Sequence, residues 1–195
     1  AVAIEQNIVV TSAHCMNQAD SARVLWNETY HPKDQSIDVI DFKIHPAYDR
    51  ESSNYQHDIA ILHLADALPS HIVPAKVYSK ARVPAKCELV RVGYGGRNGV
   101  NRLFYSSPLF LQQSDDIRTI ISQDSTAVLG DSGGGLFFKG SLDEEMQLLA
   151  IHSTFEAPNV VFSVFVPQYM EWISVWKQVW KYQKESLHTA VDETL

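Results

Sequence analysis

The chain has little cysteine: Cys15 and Cys87 are its two thiols in 195 residues. Two are too few for the disulfide framework that holds small secreted domains together. Their spacing fits no zinc-ligand pattern either, so the count leaves the redox compartment open. None of the eight histidines stands in an HExxH pair, which removes the usual motif of metal-assisted peptide hydrolysis, and neither a metal nor a cofactor is expected. No apolar run reaches the roughly 18 residues that span a bilayer, and no signal peptide is visible, so no membrane span is expected. Basic residues are outnumbered 16 to 23, for a net charge of −7. With no Lys/Arg cluster to follow a phosphate backbone, nucleic acid is not an expected partner. Internal repeats and low-complexity tracts are lacking as well. So is an initiating methionine: the chain opens on Ala1 in apolar text, and we read it as a fragment or a processed chain.

What is present is ordinary globular material, 45% hydrophobic and 20% charged, in a length that suits one large domain or two small barrels sharing a cleft. Strand signals dominate up to about residue 165: short β-branched and aromatic runs punctuated by Pro, Gly, Asn and Asp. Ala1–Ile4 and Ile8–Thr11 predict two strands joined through Glu5, Gln6 and Asn7. The second runs straight into Ser12-Ala13-His14-Cys15, so His14 stands where a buried strand ends and a side chain can reach a cleft. Asn27-Glu28-Thr29 is an N-glycosylation sequon, meaningful only in a host that glycosylates secreted proteins. Val39–Ile44 predicts a strand closed by the turn His45-Pro46-Ala47-Tyr48. Ile59–Leu64, IAILHL, predicts a core strand, and Asp58 immediately before it is a half-buried carboxylate that needs a partner. Ala65–Pro84 carries prolines and little periodicity, the best candidate for a linker. Strands are predicted again at Leu89–Val92, Leu103–Leu111, Ile117–Ile121, Leu136–Phe138, Gln147–His152 and Val160–Val166. After Pro167 the period changes: Tyr169, Trp172, Ile173, Trp176, Val179 and Trp180 mark one face of a helix. A face so rich in Trp can serve a partner or a membrane surface or pack on its own domain, and we expect the last.

The chemistry centres on Leu129–Leu136, LGDSGGGL. Ser132 lies between an aspartate and three glycines, in a backbone tight enough for Gly130 and Ser132 to aim amide hydrogens at a developing oxyanion. Alone, the same residues also make a surface turn. The chain supplies His14 at one strand end, Asp58 at another and Ser132 in the glycine turn, in the order His, Asp, Ser, which is the chymotrypsin order and neither the subtilisin nor the α/β-hydrolase one. IVVTSAHC, HDIAILHL and GDSGGGL together resemble the three signature segments of trypsin/chymotrypsin-like serine proteases. HPAY before the aspartate, GYG where the family usually has Gly-Trp-Gly, and YMEWI at the final helix extend the resemblance to about Lys184.

That resemblance implies an all-β fold of two antiparallel Greek-key β-barrels, chymotrypsin-like, with a C-terminal α-helix. Residues 1–195 then form a single peptidase domain: a partial first barrel over 1–66 with His14 and Asp58, a linker over 67–84, a second barrel over 85–166 with Ser132, the helix over 167–184 and a tail over 185–195. It implies a serine endopeptidase in which Ser132 is the nucleophile, His14 the general base, Asp58 its orienting acid, and Gly130 with Ser132 the oxyanion-hole donors. It also implies a protein or peptide substrate, a protein inhibitor as a further partner, a monomer, and a secreted or periplasmic location. The alternative is a catalytically inactive homologue that binds or regulates.

Several positions depart from the family pattern. Asp131 there pairs with an N-terminal amine released on activation, and the segment that supplies it is absent, so Asp131 is expected to lack its partner. The cysteine that pairs with Cys15 in the family falls before residue 1. Cys87 has no obvious mate, since Phe138 stands where a second-barrel cysteine is often found. Thr126 occupies the place of the aspartate that gives trypsins their Lys/Arg preference, and Asp124 lies two residues too early, so the preference for the residue before the scissile bond (P1) is not expected to be trypsin-like. In AIHST, Ser153 matches a family serine, Thr154 replaces a tryptophan, and Phe155 replaces a glycine and narrows the pocket. His152 matches a histidine that receives acidic side chains in related glutamyl endopeptidases. It is also an ordinary residue for a strand core, and both readings stand at this point.

Overall fold

The computed structural model describes every residue except 30, 32, 52–55, 84–86, 98–99, 102, 114–116, 141–144, 157–158 and 193–195. The junction of linker and second barrel at 84–85 and the end of the tail therefore lie outside the described residues. The first half comprises β1 (Val2–Glu5), β2 (Ile8–Thr11), the one-turn helix α1 (Ala13–Met16), β3 (Arg23–Leu25), β4 (Ser36–Ile44) and β5 (Ala60–Leu64). Its strands form one antiparallel sheet in the order β1-β2-β5-β4-β3. The central strands β2 and β5 are covered on both faces, and that is why IVV and AIL read as continuous apolar runs instead of alternating. Val9, Leu62 and Leu64 turn to one core with Met16 and Leu68, while Ile8, Val10 and Ile61 turn to another shared with the second half.

The second half holds β6 (Lys76–Val77), β7 (Glu88–Gly93), β8 (Gly96–Arg97), β9 (Val100–Asn101), β10 (Phe104–Ser106), β11 (Leu109–Gln113), β12 (Thr119–Gln123), β13 (Gly135–Lys139), β14 (Gln147–Glu156) and β15 (Val160–Phe165). Its main sheet runs β10-β7-β13-β14-β15-β12-β11, with β6 parallel to β14 and β8–β9 a separate hairpin. The segment read as a linker thus contributes a strand. Leu89, Ile120, Leu136, Leu149 and Phe165 fill the core of this half. Both cysteines are free, and Leu89 stands directly opposite Phe138 across β7 and β13, an apolar pair.

A 3-10 turn over Val166–Tyr169 leads into helix α2 (Met170–Asp192), which continues past the expected end at 184. The residues after Lys184, ESLHTAVD, include no Gly or Pro to stop it. The Trp-rich face packs on its own domain: Tyr169, Ile173 and Trp180 join Ile8, Ile61, Leu148 and Val164 in the core between the two sheets. Trp180 Nε1 donates to Asp41 Oδ2 at 2.7 Å, and its ring stacks on His63. Among the described residues no helix is long and apolar enough to cross a membrane.

Candidate active site

His14 sits on α1, directly after the buried strand β2, and Asp58 sits two residues before β5, which pairs with β2. Adjacent strands thus bring together two side chains 44 residues apart. His14 Nδ1–H donates to Asp58 Oδ2 at 2.7 Å, and the His14 backbone N–H donates to Asp58 Oδ1 at 2.8 Å. Both carboxylate oxygens are engaged, which fixes the ring orientation and leaves Nε2 as the imidazole's working nitrogen. The hydrogen bond to Asp58 raises the His14 pKa above its ordinary value. Burial pushes the Asp58 carboxyl up, but hydrogen bonds from His14 and Ser153 outweigh it and hold the group below the usual carboxylate range. From behind, the His57 backbone N–H donates to Tyr169 Oη at 3.2 Å, tying the residue before Asp58 to the start of the helical segment.

Ser132 follows a turn in which Gly130 takes φ 93°, a left-handed conformation that suits glycine. Among the described residues the Gly130 and Ser132 amides have no protein partner, so both are available to an oxyanion. The turn is anchored across the cleft: His152 C=O accepts from Gly133 N at 2.8 Å and from Ser12 Oγ at 2.6 Å, linking the two halves beside the site. A β-bulge in β14 between His152 and Thr154 turns Ser153 toward it. Ser153 Oγ donates to Asp58 Oδ2 at 2.5 Å, while Ser153 C=O accepts from Ser132 Oγ at 3.2 Å. The Ser132 hydroxyl therefore rests on Ser153, and no hydrogen bond joins it to His14 among the described residues. Such catalytic hydrogen bonds often form only once substrate is bound.

The residues expected to bind substrate differ in their surroundings. Thr126 is engaged from two sides: its Oγ1 donates to Asp124 Oδ1 at 2.6 Å and accepts from Arg91 Nη2 at 3.3 Å. Phe155 is directly opposite Val161 across β14 and β15. His152 is 1% exposed, and its Nδ1 has no hydrogen-bond partner among the described residues. Burial lowers its pKa to about 4, so the ring is neutral at neutral pH.

The expectation that Asp131 lacks a partner is overturned. Arg91 Nη1 donates to Asp131 Oδ2 at 2.7 Å, and Arg91 Nε donates to Asp124 Oδ2 at 2.7 Å. The Gly95 and Val128 amides also donate to the Asp131 carboxylate, at 2.9 and 3.0 Å. Sequence reasoning missed Arg91, although a signal existed: in ELVRVG it shares the inward face of β7 with Leu89 and Gly93. An arginine at an inward strand position requires an anionic partner.

With the geometry in place, the class of protein follows from fold and family together. The family model described as Trypsin matches residues 1–173, and the chain belongs to that family. A relative, the serine protease Hayan of Drosophila melanogaster, is 40% identical over 108 residues, which is 51% of this chain and 17% of the relative. The match thus spans well under a fifth of that protein's length.

Proposed function

We propose that this domain is a serine endopeptidase that hydrolyses peptide bonds through an acyl-enzyme on Ser132. The observation that carries the reading is the His14–Asp58 pair, in which both carboxylate oxygens accept from His14 and Nε2 is left to face the nucleophile. Substrate binding moves Ser132 Oγ from the Ser153 carbonyl to His14 Nε2. His14 takes the proton as Oγ attacks the scissile carbonyl, the Gly130 and Ser132 amides receive the oxyanion, and His14 returns the proton to the leaving amine. Asp58 holds the tautomer and stabilises the imidazolium. Membership in the family supports a protein or peptide substrate, and an extracellular or periplasmic location accompanies that reading.

The P1 preference in this proposal is not for Lys or Arg. Asp124 and Asp131, the carboxylates near Thr126 among the described residues, are both paired with Arg91 and so are not left to receive a basic side chain. His152 supports an acidic preference, because a neutral imidazole can donate to a carboxylate without a permanent buried cation. A peptide panel varied at P1, incubated with the full-length processed protein and with Ser132→Ala as control, tests both points. Cleavage after Glu or Asp, lost in the control, is expected. Cleavage after Lys or Arg would overturn the specificity. Wild-type turnover no higher than the control's would instead favour the inactive, binding homologue, whose one structural support is the Ser132 hydroxyl resting on Ser153.

A further inference from the structure

Arg91 lies on β7, flanked in register by Ser106 on β10 and Leu136 on β13, with its guanidinium beneath the loop that carries the nucleophile. Three nitrogens of that one group reach three residues of the loop: Nε to Asp124, Nη2 to Thr126 and Nη1 to Asp131. Asp124 begins the loop as β12 ends, and Asp131 immediately precedes Ser132. A single rigid fork therefore ties the two ends of the segment together. The surroundings are shaped for it. Ser106 Oγ donates to Asp124 Oδ2 at 2.5 Å, and a Cβ on Gly93 would occupy the space that the Asp131 carboxylate fills. All three charged side chains are at most 4% exposed. Burying them is costly unless every contact is kept, so the loop has few arrangements open to it.

We propose that Arg91 is a positioning residue: an internal cation that holds Asp131, and through it the Gly130 and Ser132 amides, in working geometry without an N-terminal ammonium group. The inference builds on the endopeptidase reading. Its structural content, a loop shaped by Arg91, is measurable apart from activity. A lysine cannot reproduce the clamp, because one ammonium does not offer three directed donors in a plane.

The test uses the full-length processed protein with its α-amino group acylated at mildly acidic pH, where that amine reacts ahead of lysine because its pKa is lower. Hydrogen exchange over residues 124–134 and the kinetic constants on a cleaved peptide are compared before and after. The clamp predicts unchanged protection and a kcat within about twofold of the unmodified protein. Arg91→Met is expected to lose protection in that segment and to lower kcat by about 10², the scale of losing an oxyanion donor, with KM changed less than about threefold. Arg91→Lys, which keeps the charge and serves if the Met variant does not fold, is expected to recover only part of both losses. Loss of loop protection on acylation, or an Arg91→Met protein with wild-type protection and kcat, would overturn the proposal. Should the protein show no turnover at all while acylation leaves the loop protected and Arg91→Met or Arg91→Lys exposes it, the clamp stands and the endopeptidase reading fails.

Discussion

The His14–Asp58 pair and the Arg91–Asp124–Asp131 cluster hold charge in opposite ways. In the first, the base is 38% exposed and the acid 6%. In the proposed mechanism a proton arrives and leaves on the open side, while the closed side only orients. In the second, side-chain exposures are 1%, 4% and 0%, and the cation is an arginine that does not titrate. Reaction needs a group that changes charge at the rim of a cleft, whereas a loop shape needs charges that never change beneath it. The two regions also meet pH from opposite directions. His14 is raised, so its contribution to stability is present below its ordinary value of 6.5 and fades as pH climbs through the raised one. For Asp124, burial pulls upward, but hydrogen bonds from Ser106, Thr126 and Arg91 bring it down to about 2. Its contribution is present above the ordinary 3.8 and is lost as pH falls through the lowered value.

Two substitutions separate the regions, beginning with the larger effect. Asp58→Asn is expected to lower kcat by about 10⁴ with the fold retained, as steady-state kinetics on a cleaved peptide will show. Because His14 must be neutral to accept a proton, the acid limb of kcat/KM lies above 6.5 in the wild type and moves down toward that value in the variant. A loss of less than tenfold would mean that Asp58 does not orient the base. Asp124→Asn is expected to lower the unfolding free energy by about 3 kcal/mol in a denaturant titration at neutral pH, the cost of breaking a buried charged contact. The same variant removes the stability lost between about pH 4 and pH 2. An effect below about 0.5 kcal/mol would place the cluster with ordinary surface pairs, where the comparison between the two regions ends.

Much of the fold was legible because burial leaves a pattern in the text. IAILHL and IVV announce strands covered on both faces, and the tryptophans of α2 announce one buried stripe. The candidate triad was legible through its order along the chain, which needs no three-dimensional information. The bulge at Ser153 was not, since an extra residue in one strand changes no residue type. The stretch after Lys184, expected as a tail, is helical to Asp192, because a polar run without Gly or Pro carries no apolar stripe to announce a helix and no breaker to end one. Arg91 was passed over for a similar reason: a charge in a strand reads as solvent-facing until its neighbours at i±2 are both found to be buried. That omission made Asp131 look partnerless when its partner was 40 residues upstream on β7.

The central claim is that Ser132 is a nucleophile activated by His14 and Asp58. It is tested most directly by exposing the full-length processed protein to a fluorophosphonate probe and mapping the adduct by mass spectrometry. Attack of Ser132 Oγ on phosphorus displaces fluoride, so the account predicts one phosphonate on the peptide containing Ser132, and none in Ser132→Ala. A wild-type protein that stays unmodified under conditions that label other members of the family would contradict it.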